Sequence, residues 1–378
     1  MADVITIISM DQVRALFVLV AVVMYGFGQT PEGFFRNGGA DFRSAAPETK
    51  LYWTPHVEHS HERILQAADL AVGKGIAIVL GSGVATEIPL AELARRFERL
   101  ILIDLDGSSM LASLDQVPLE LRPKVELKVM DVTSFASGLM KRQREAVEAS
   151  ATVNEAFGRF DGIFRDLALG DLPNLPPSDL VVSSLLLSEI ARFPFAYTGR
   201  LLSTRFNVQM QSWPGSEKAF QRLVLLSIED HVRLLASISR PGGTIYYADT
   251  VARGPALARM PEQVRTAVND AILSDFRQFG FAASISEVTP AIEHLCQAEH
   301  PVDKEVLAYE RLLDACRRTD DSTFEPLLPI AEVQRQAKLH KLMLQGSPES
   351  WWWLAYPCAI ATSPGAFYVN SWILRATK

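Results

Sequence analysis

Apolar and polar positions along the chain follow two recurring rhythms. Short β-branched runs end on a small or acidic residue, and between them lie longer stretches with apolar residues three or four apart. The first run, Ile76 to Leu80, ends at Gly81-Ser-Gly83, and apolar residues at helical spacing follow at Ile88, Leu90, Leu93, Ala94 and Phe97. A second run, Leu100 to Ile103, closes on Asp104; a third, Val125 to Val129, closes on Asp131-Val-Thr133. Helices are predicted over 108–114 and 134–160. Beyond the Pro-rich loop 171–178, the stretch Asp179 to Ser184 reads as a buried strand, and Leu185 to Arg192 begins another helix. Ser227 to Ser239 is predicted helical from Ile228, Val232, Leu235 and Ile238, is stopped by Pro241-Gly-Gly243, and leads into a strand over Thr244 to Asp249. Strands alternating with helices predict an α/β fold, a doubly wound and mainly parallel sheet covered on both faces.

The rest of the pattern is less regular. Pro261 to Phe279 reads as a helix, Ala283 to Val288 as a strand, and residues 291 to 345 as a charged, helix-forming insertion or cap. Two β-rich runs, Trp351 to Ala361 and Phe367 to Leu374, flank a Thr-Ser-Pro-Gly-Ala turn; they predict a hairpin adding an antiparallel C-terminal edge to the sheet. The expected organisation is therefore an N-terminal helical cap over 1–70, a nucleotide-binding core over 71–290, the insertion over 291–345, and a hairpin over 346–378 that completes the sheet.

Residues 76 to 106 carry the clearest chemistry. Glycines at 81 and 83 let the backbone turn tightly and approach a ligand, because a Cβ there would collide with it. A helix starting after such a turn would aim free N–H groups at the ligand. An acid at the tip of the next strand, Asp104, is placed to accept ribose hydroxyls. Dinucleotides and S-adenosylmethionine both use this geometry. A pyrophosphate site wants G-x-G-x-x-G or Ala, and here Thr86 takes the third position, followed by Glu87. A carboxylate there is unwelcome beside a pyrophosphate and tolerable beside a cationic sulfonium.

Composition narrows the partners. The chain of 378 residues is 48% hydrophobic and 21% charged with a net charge of −7, which gives no electrostatic footprint for nucleic acid. Basic pairs such as Arg95-Arg96 and Lys141-Arg142 read as solvated helix faces. Three scattered cysteines, Cys296, Cys316 and Cys358, form neither a disulfide framework nor a zinc knuckle, and a reducing cytoplasm is the expected compartment. The apolar run Leu16 to Phe27 is shorter than the roughly 20 residues that span a bilayer, and Asp3 and Asp11 stand where a secretory leader is basic, so a buried helix is expected and no membrane partner. The run His56-Val-Glu-His59-Ser-His61 brings three imidazoles close together; with no second group of ligands at a suitable spacing, it reads as a helix start or a pocket lining, and no metal is expected. Trp351-Trp-Trp353 reads as sheet packing, with an aromatic substrate wall as the sharper alternative.

Taken in order, G81-S-G83, Asp104, Asp131, the passage VVSSLLLSEI after the fourth strand and RLLASISRPGGTIYYAD resemble the class I S-adenosylmethionine-dependent methyltransferases, which have a Rossmann-like sheet. The resemblance covers roughly residues 52 to 289 and the terminal hairpin. It implies that S-adenosyl-L-methionine is the cofactor, with Gly81, Ser82 and Gly83 under its methionine and ribose portion and Asp104 on the ribose. It further implies Asp131 and Val132 at the adenine, Ser183 and Ser184 beside the sulfonium, and Tyr52 and Arg63 folding over the cofactor, Arg63 toward its carboxylate. Two positions depart from the family: Val79 and Leu80 stand where an acid often precedes the first glycine, and Ala85 stands at the third glycine position. Glu189 and Asp249, near strand ends, are the candidate catalytic groups, and His231 reads as a packed or surface histidine. No N-P-P-Y-type motif follows the fourth strand; Ser183-Ser-Leu-Leu there resembles the family's small-molecule enzymes. The function implied is methyl transfer to a small-molecule acceptor roofed by the N-terminal helices with the stretch 52–63, by 193–222 or by 291–345, with a homodimer arm as another use of the insertion. Alkyl transfer, cyclisation or elimination with the same cofactor stays open, as does a non-catalytic cofactor-binding protein, whereas Thr86 and Glu87 argue against a nicotinamide oxidoreductase.

Overall fold

The computed structural model describes residues 53–254, 325–354 and 366–377, together with Glu310, Leu313, Asp314 and Arg317. Tyr52, the N-terminal apolar run and the elements expected over 261–288 lie outside the described residues.

Residues 53–70 form helix α1, which leads into β1 (Ile76–Leu80). Every residue of β1 is buried, as a strand covered on both faces requires. The chain then passes through α2 (Leu90–Arg96), β2 (Arg99–Asp104), α3 (Gly107–Ser113) and β3 (Val125–Val129). It returns across the sheet through α4 (Ala136–Glu148) and α5 (Val153–Arg165) to β4 (Ser178–Ser184). The stretch expected as one helix over 134–160 breaks at Ser150-Ala-Thr152, where the Thr152 hydroxyl accepts from Glu155 N–H and starts a new helix. Two long helices, α6 (Leu187–Phe206) and α7 (Ser216–Ile238), lead to β5 (Ser239–Gly254).

The sheet order is β3-β2-β1-β4-β5-β9-β7, where β7 is Leu342–Leu344 and β9 is Ala366–Ala376. Strands β1 to β5 pair in parallel, and β9 runs antiparallel to β5 and β7. The α/β doubly wound expectation therefore holds, including its antiparallel C-terminal edge. Two short strands pair off this path, β6 (Glu325–Pro326) on β5 and β8 (Glu349–Trp353) on β9. The stretch expected wholly as a helical insertion thus ends by supplying α8 (Ile330–Leu339) and the edge strand β7. Its charges mask this, because α8 buries Val333 and Ala337 and leaves its acidic and basic residues outward.

Alternation along the strands divides the core in two. Ala77, Val79, Leu180, Val182, Tyr246 and Ala248 face α1, α2 and α3, while Ile78, Leu80, Val181, Ile245 and Tyr247 face the helices α4 to α8. Crossovers from β1 toward β3 run over the first face and those from β3 through β4 to β5 over the second, so the winding direction reverses between β1 and β4. A crevice opens at such a reversal, outside the carboxyl ends of the strands. At the opposite end of the same strands, the Asp179 carboxylate accepts from Gly75 and Ile76 N–H at 2.9 Å each and pairs with Arg240 at 2.9 Å. This ties the starts of β1, β4 and β5 together and fixes their register below the crevice.

Strand β8 anchors α1. Trp353 lies against His56 with ring centroids 4.9 Å apart, and Trp351 donates to His56 Nδ1 at 2.9 Å and stacks on His59 at 5.6 Å. The histidine run is therefore packed against tryptophans at its start, with His56 3% exposed. Burial, with the neighbouring His59 and His61, holds His56 down to about 3. Among the described residues no helix is long and apolar enough to cross a membrane.

Candidate functional site

The carboxyl ends of β1, β2 and β4 meet at the crevice. Gly81 takes φ +63°, a conformation costly for a residue with a Cβ, and a methyl there would lie 2.6 Å from Leu186 Cδ1. Gly83 takes φ +48°, and a Cβ on it would meet nothing within 4 Å. The first glycine is required by the fold, whereas the second faces open space at the strand tips. Ala85, at φ +54°, continues the tight path without being glycine.

The helix after the turn begins later than its apolar spacing suggests. Residues 82–88 form successive turns, with Ala85 N–H on Ser82 O and Ile88 N–H on Ala85 O, and α2 starts only at Leu90. Pro89 explains the delay: it fixes the helix start behind it and disfavours helical backbone at Ile88. No helix N-terminus therefore adjoins Gly83, and the turn itself presents the backbone groups.

Asp104 at the tip of β2 holds this turn. Its Oδ2 accepts from Gly83 N–H at 2.8 Å and its Oδ1 from Asp106 N–H at 2.8 Å. Burial pushes its carboxyl above the ordinary range, against the pull of those N–H groups. Each oxygen keeps a further lone pair for a ligand. Asp106 next to it is 4% exposed and caps α3 through Ser108 and Ser109 N–H.

Asp131 lies at the end of β3 as the spacing suggests, but its oxygens are engaged locally. Oδ1 accepts from Thr133 N–H and hydroxyl, both at 2.8 Å, and Oδ2 accepts from Ser137 N–H at 3.0 Å and its hydroxyl at 2.5 Å. Four donors fill the carboxylate, which shapes the start of α4. Val132 is 9% exposed and presents an apolar surface beside it.

The two serines at the end of β4 face opposite ways, as successive strand residues must. Ser183 points to the α4–α8 face, where its hydroxyl lies 2.8 Å from His231 Nε2. Burial holds His231 down to about 4, and its Nδ1 has no hydrogen-bond partner. His231 is thus the packed histidine of the two readings open for it, and Ser183 is spent on it. Ser184 points to the α1 side, 6% exposed, with its hydroxyl beside that of Tyr246.

The two candidate catalytic carboxylates stand on neighbouring elements with different surroundings. Asp249 is fully buried and accepts from Ser188 N–H at 3.1 Å and Thr250 N–H at 2.7 Å, bracing the start of α6 against β5. Burial pushes it up to about 6, the hydrogen bonds to Ser188 and Thr250 opposing. Glu189, one residue beyond Ser188, is about one-third exposed and pairs with Arg192 at 3.2 Å; burial raises its carboxyl too.

On the α1 side, Arg63 is 5% exposed. Its terminal nitrogens bind Gln66, Ser347 O at 3.3 Å and Glu349 at 2.8 Å, so its fork clips α1 to the start of β8 and the residues just ahead of it. Its Nε–H has no partner. The Tyr246 hydroxyl, on β5, interacts with those of Ser60 and Ser184, and burial pushes it well above its ordinary range. Ser82 Oγ in the glycine turn is buried and unpartnered. Ser60, Glu87 and Tyr246 are absent from the sequence-derived site. Only the strand alternation of Thr-Ile-Tyr-Tyr-Ala-Asp signals that one of its tyrosines must face α1.

No protein-family model and no curated protein matches the chain. Solved structures of similar chain path include the N-methyltransferase NodS from Bradyrhizobium japonicum, at 8% identity and a TM-score of 0.32 over 84% of this chain and 96% of that one. The geranyl diphosphate C-methyltransferase from Streptomyces coelicolor gives 9% and 0.34 over 84% and 79%. A chain of the Haloferax volcanii complex containing the Trm112 methyltransferase activator gives 13% and 0.38 over 91% and 98%. Overlaps of this size carry nothing about the chemistry of this chain.

Proposed function

We propose that this chain binds S-adenosyl-L-methionine in the β1–β4 crevice and transfers its methyl group to a small-molecule acceptor. One observation carries the reading: a positive-φ glycine turn at the tip of β1, open above Gly83, is hydrogen-bonded to an acid at the tip of β2, at the point where the sheet winding reverses. The buried, unpartnered hydroxyl of Ser82 in that turn fits a polar ligand, since native structures leave few such groups unsatisfied.

In this reading Asp104 uses its remaining lone pairs on the ribose hydroxyls while its existing bonds hold Gly83 in place. Val132 lies against the base. With Asp131 filled by its own turn, recognition of the base falls to neighbouring backbone and apolar contact. The bound cofactor supplies an electrophilic methyl group on a sulfonium, and what remains for the protein is proximity and alignment. In this reading Glu189, about one-third exposed at the start of α6, takes a proton from an acceptor. Asp249 acts through Ser188, holding that helix start against β5, and is a positioning residue.

Calorimetry with S-adenosylhomocysteine and, separately, NAD tests the reading. Binding of the sulfur nucleoside alone is expected, and binding of NAD alone would overturn it. Product analysis then separates methyl transfer, which leaves S-adenosylhomocysteine, from reactions that release methylthioadenosine.

A further inference from the structure

Helices α6 and α7 run well past the strand tips before the chain returns to the sheet. Asp249 of β5 holds Ser188 N–H at the start of α6, and His231 of α7 lies 2.8 Å from Ser183 at the tip of β4. From that level α6 continues to Phe206 and α7 reaches back to Ser216, each over roughly 20–25 Å at 1.5 Å per residue. Their connection is fixed from behind, where Trp213 packs on Phe160 with centroids 5.5 Å apart and donates to Asp161 at 3.0 Å. Between the two helices and this connection lies an open cleft of about 380 Å³. Phe195, Ala196 and Gly199 line it from α6, Met210 from the connection and Phe220 from α7, with the Phe195 and Phe220 rings 4.8 Å apart. The small residues of α6 leave the space. A Cβ at Gly199 would already lie 3.4 Å from Met210 Cβ, so a longer side chain there enters the cleft.

The cleft and Glu189 share one stripe of α6. Glu189, Arg192, Ala196 and Gly199 recur at intervals of three and four, the spacing of a single helical face, and the Glu189–Arg192 pair at 3.2 Å marks its crevice end. From Glu189 to Ala196 and Gly199 the helix rises roughly 10–15 Å. A space of this volume suits the body of a small ligand, and its aromatic, methionyl and small-residue walls favour an apolar one. The charged group in the lining is the exposed carboxylate of Glu217, which repels an anion.

We propose that this cleft receives the apolar body of the methyl acceptor, and that the acceptor is an amphiphile. Its aliphatic or aromatic body carries no negative charge and is joined, over roughly 10–15 Å, to an amine or hydroxyl beside Glu189. The acceptor's lone pair forms the new bond to the methyl carbon while the bond to sulfur breaks onto the sulfur, and Glu189 takes the proton that the acceptor loses. This rests on the cofactor reading above and adds the class of substrate to it.

Titration calorimetry of n-butylamine, n-hexylamine, n-octylamine and n-decylamine into the full chain saturated with S-adenosylhomocysteine tests this. Affinity is expected to rise by up to roughly fourfold per added methylene, the 0.8 kcal/mol of a buried CH₂, until the cleft is full. Gly199→Leu should end that rise at shorter chains, so that octylamine and decylamine lose roughly tenfold or more while butylamine and S-adenosylhomocysteine bind as before. Ala196→Leu, at an exposed helical position that tolerates the change, gives the same comparison should Gly199→Leu impair folding. Affinity independent of chain length, or a chain-length gain identical in wild type and both variants, overturns the proposal. So does a concentration-dependent dimer that the variants abolish, without amine binding, which gives the cleft to a second copy of the chain. Failure of the wild type to bind S-adenosylhomocysteine is a separate result that removes the cofactor reading and this acceptor with it.

Discussion

Replacing Asp104 by Ala separates the two tasks this carboxylate performs. It accepts Gly83 N–H and Asp106 N–H, each at 2.8 Å, and in the proposed function it also accepts the ribose. A hydrogen bond to a charged acceptor contributes about 1.5–3 kcal/mol. The site is only partly buried, so water recovers some of each loss, and a combined cost to the fold of roughly 2–4 kcal/mol follows. For a domain of this size that lowers the melting temperature by roughly 5–15 °C. Nucleoside binding should fall further than stability alone implies, by roughly 10- to 150-fold, because the ribose contacts and the held turn disappear together. Asp104→Asn keeps one acceptor and turns an amide N–H toward the other donor, so its melting temperature should lie between the two while its affinity stays low. Thermal melting and calorimetry with S-adenosylhomocysteine measure both quantities. An Asp104→Ala protein that melts lower yet binds as tightly as the wild type would place the carboxylate outside the ligand site; one unchanged in melting would show that the clamp holds nothing.

The two glycines of the turn should respond in opposite senses. Gly81→Ala meets both a strained φ of +63° and Leu186 at 2.6 Å and should cost stability, whereas Gly83→Ala, with nothing within 4 Å, should fold at a cost of about 1 kcal/mol and lose nucleoside affinity by more than tenfold. Equal affinity of Gly83→Ala and wild type for S-adenosylhomocysteine would put the ligand elsewhere. Acid should destabilise the protein below pH 6.5 through buried histidines. His56 and His231 are held down to about 3 and about 4, so the unfolded chain binds protons that the folded one refuses, and stability present above pH 6.5 is lost as pH falls toward 4. Each contributes on the order of 3 kcal/mol by linkage, while Asp249, raised to about 6, acts in the opposite sense between pH 4 and 6. A His56→Gln, His231→Gln double variant should show a shallower loss of melting temperature from pH 6.5 to 4.5, and a slope equal to that of the wild type would exclude both as the titrating groups.

What the sequence determined by itself was the fold class and the line of the crevice. Runs such as Ile76–Leu80 and Asp179–Ser184 have no plausible place except a strand buried on both faces, and the turn chemistry of Gly81 is a local constraint readable without neighbours. Asp104 and the Ser183-Ser184 pair follow from the same local logic, since each stands at the end of such a run. Tertiary structure decided how those groups are used. Asp131 proved to be filled by Thr133 and Ser137, and Ser183 was turned to His231 while Ser184 was turned to the opposite face. Arg63 was drawn to Glu349, a partner 286 positions away along the chain. The strand formed by Leu342–Leu344 was hidden within a charged stretch because its edge pairing depends on β9, and no local pattern encodes that partner.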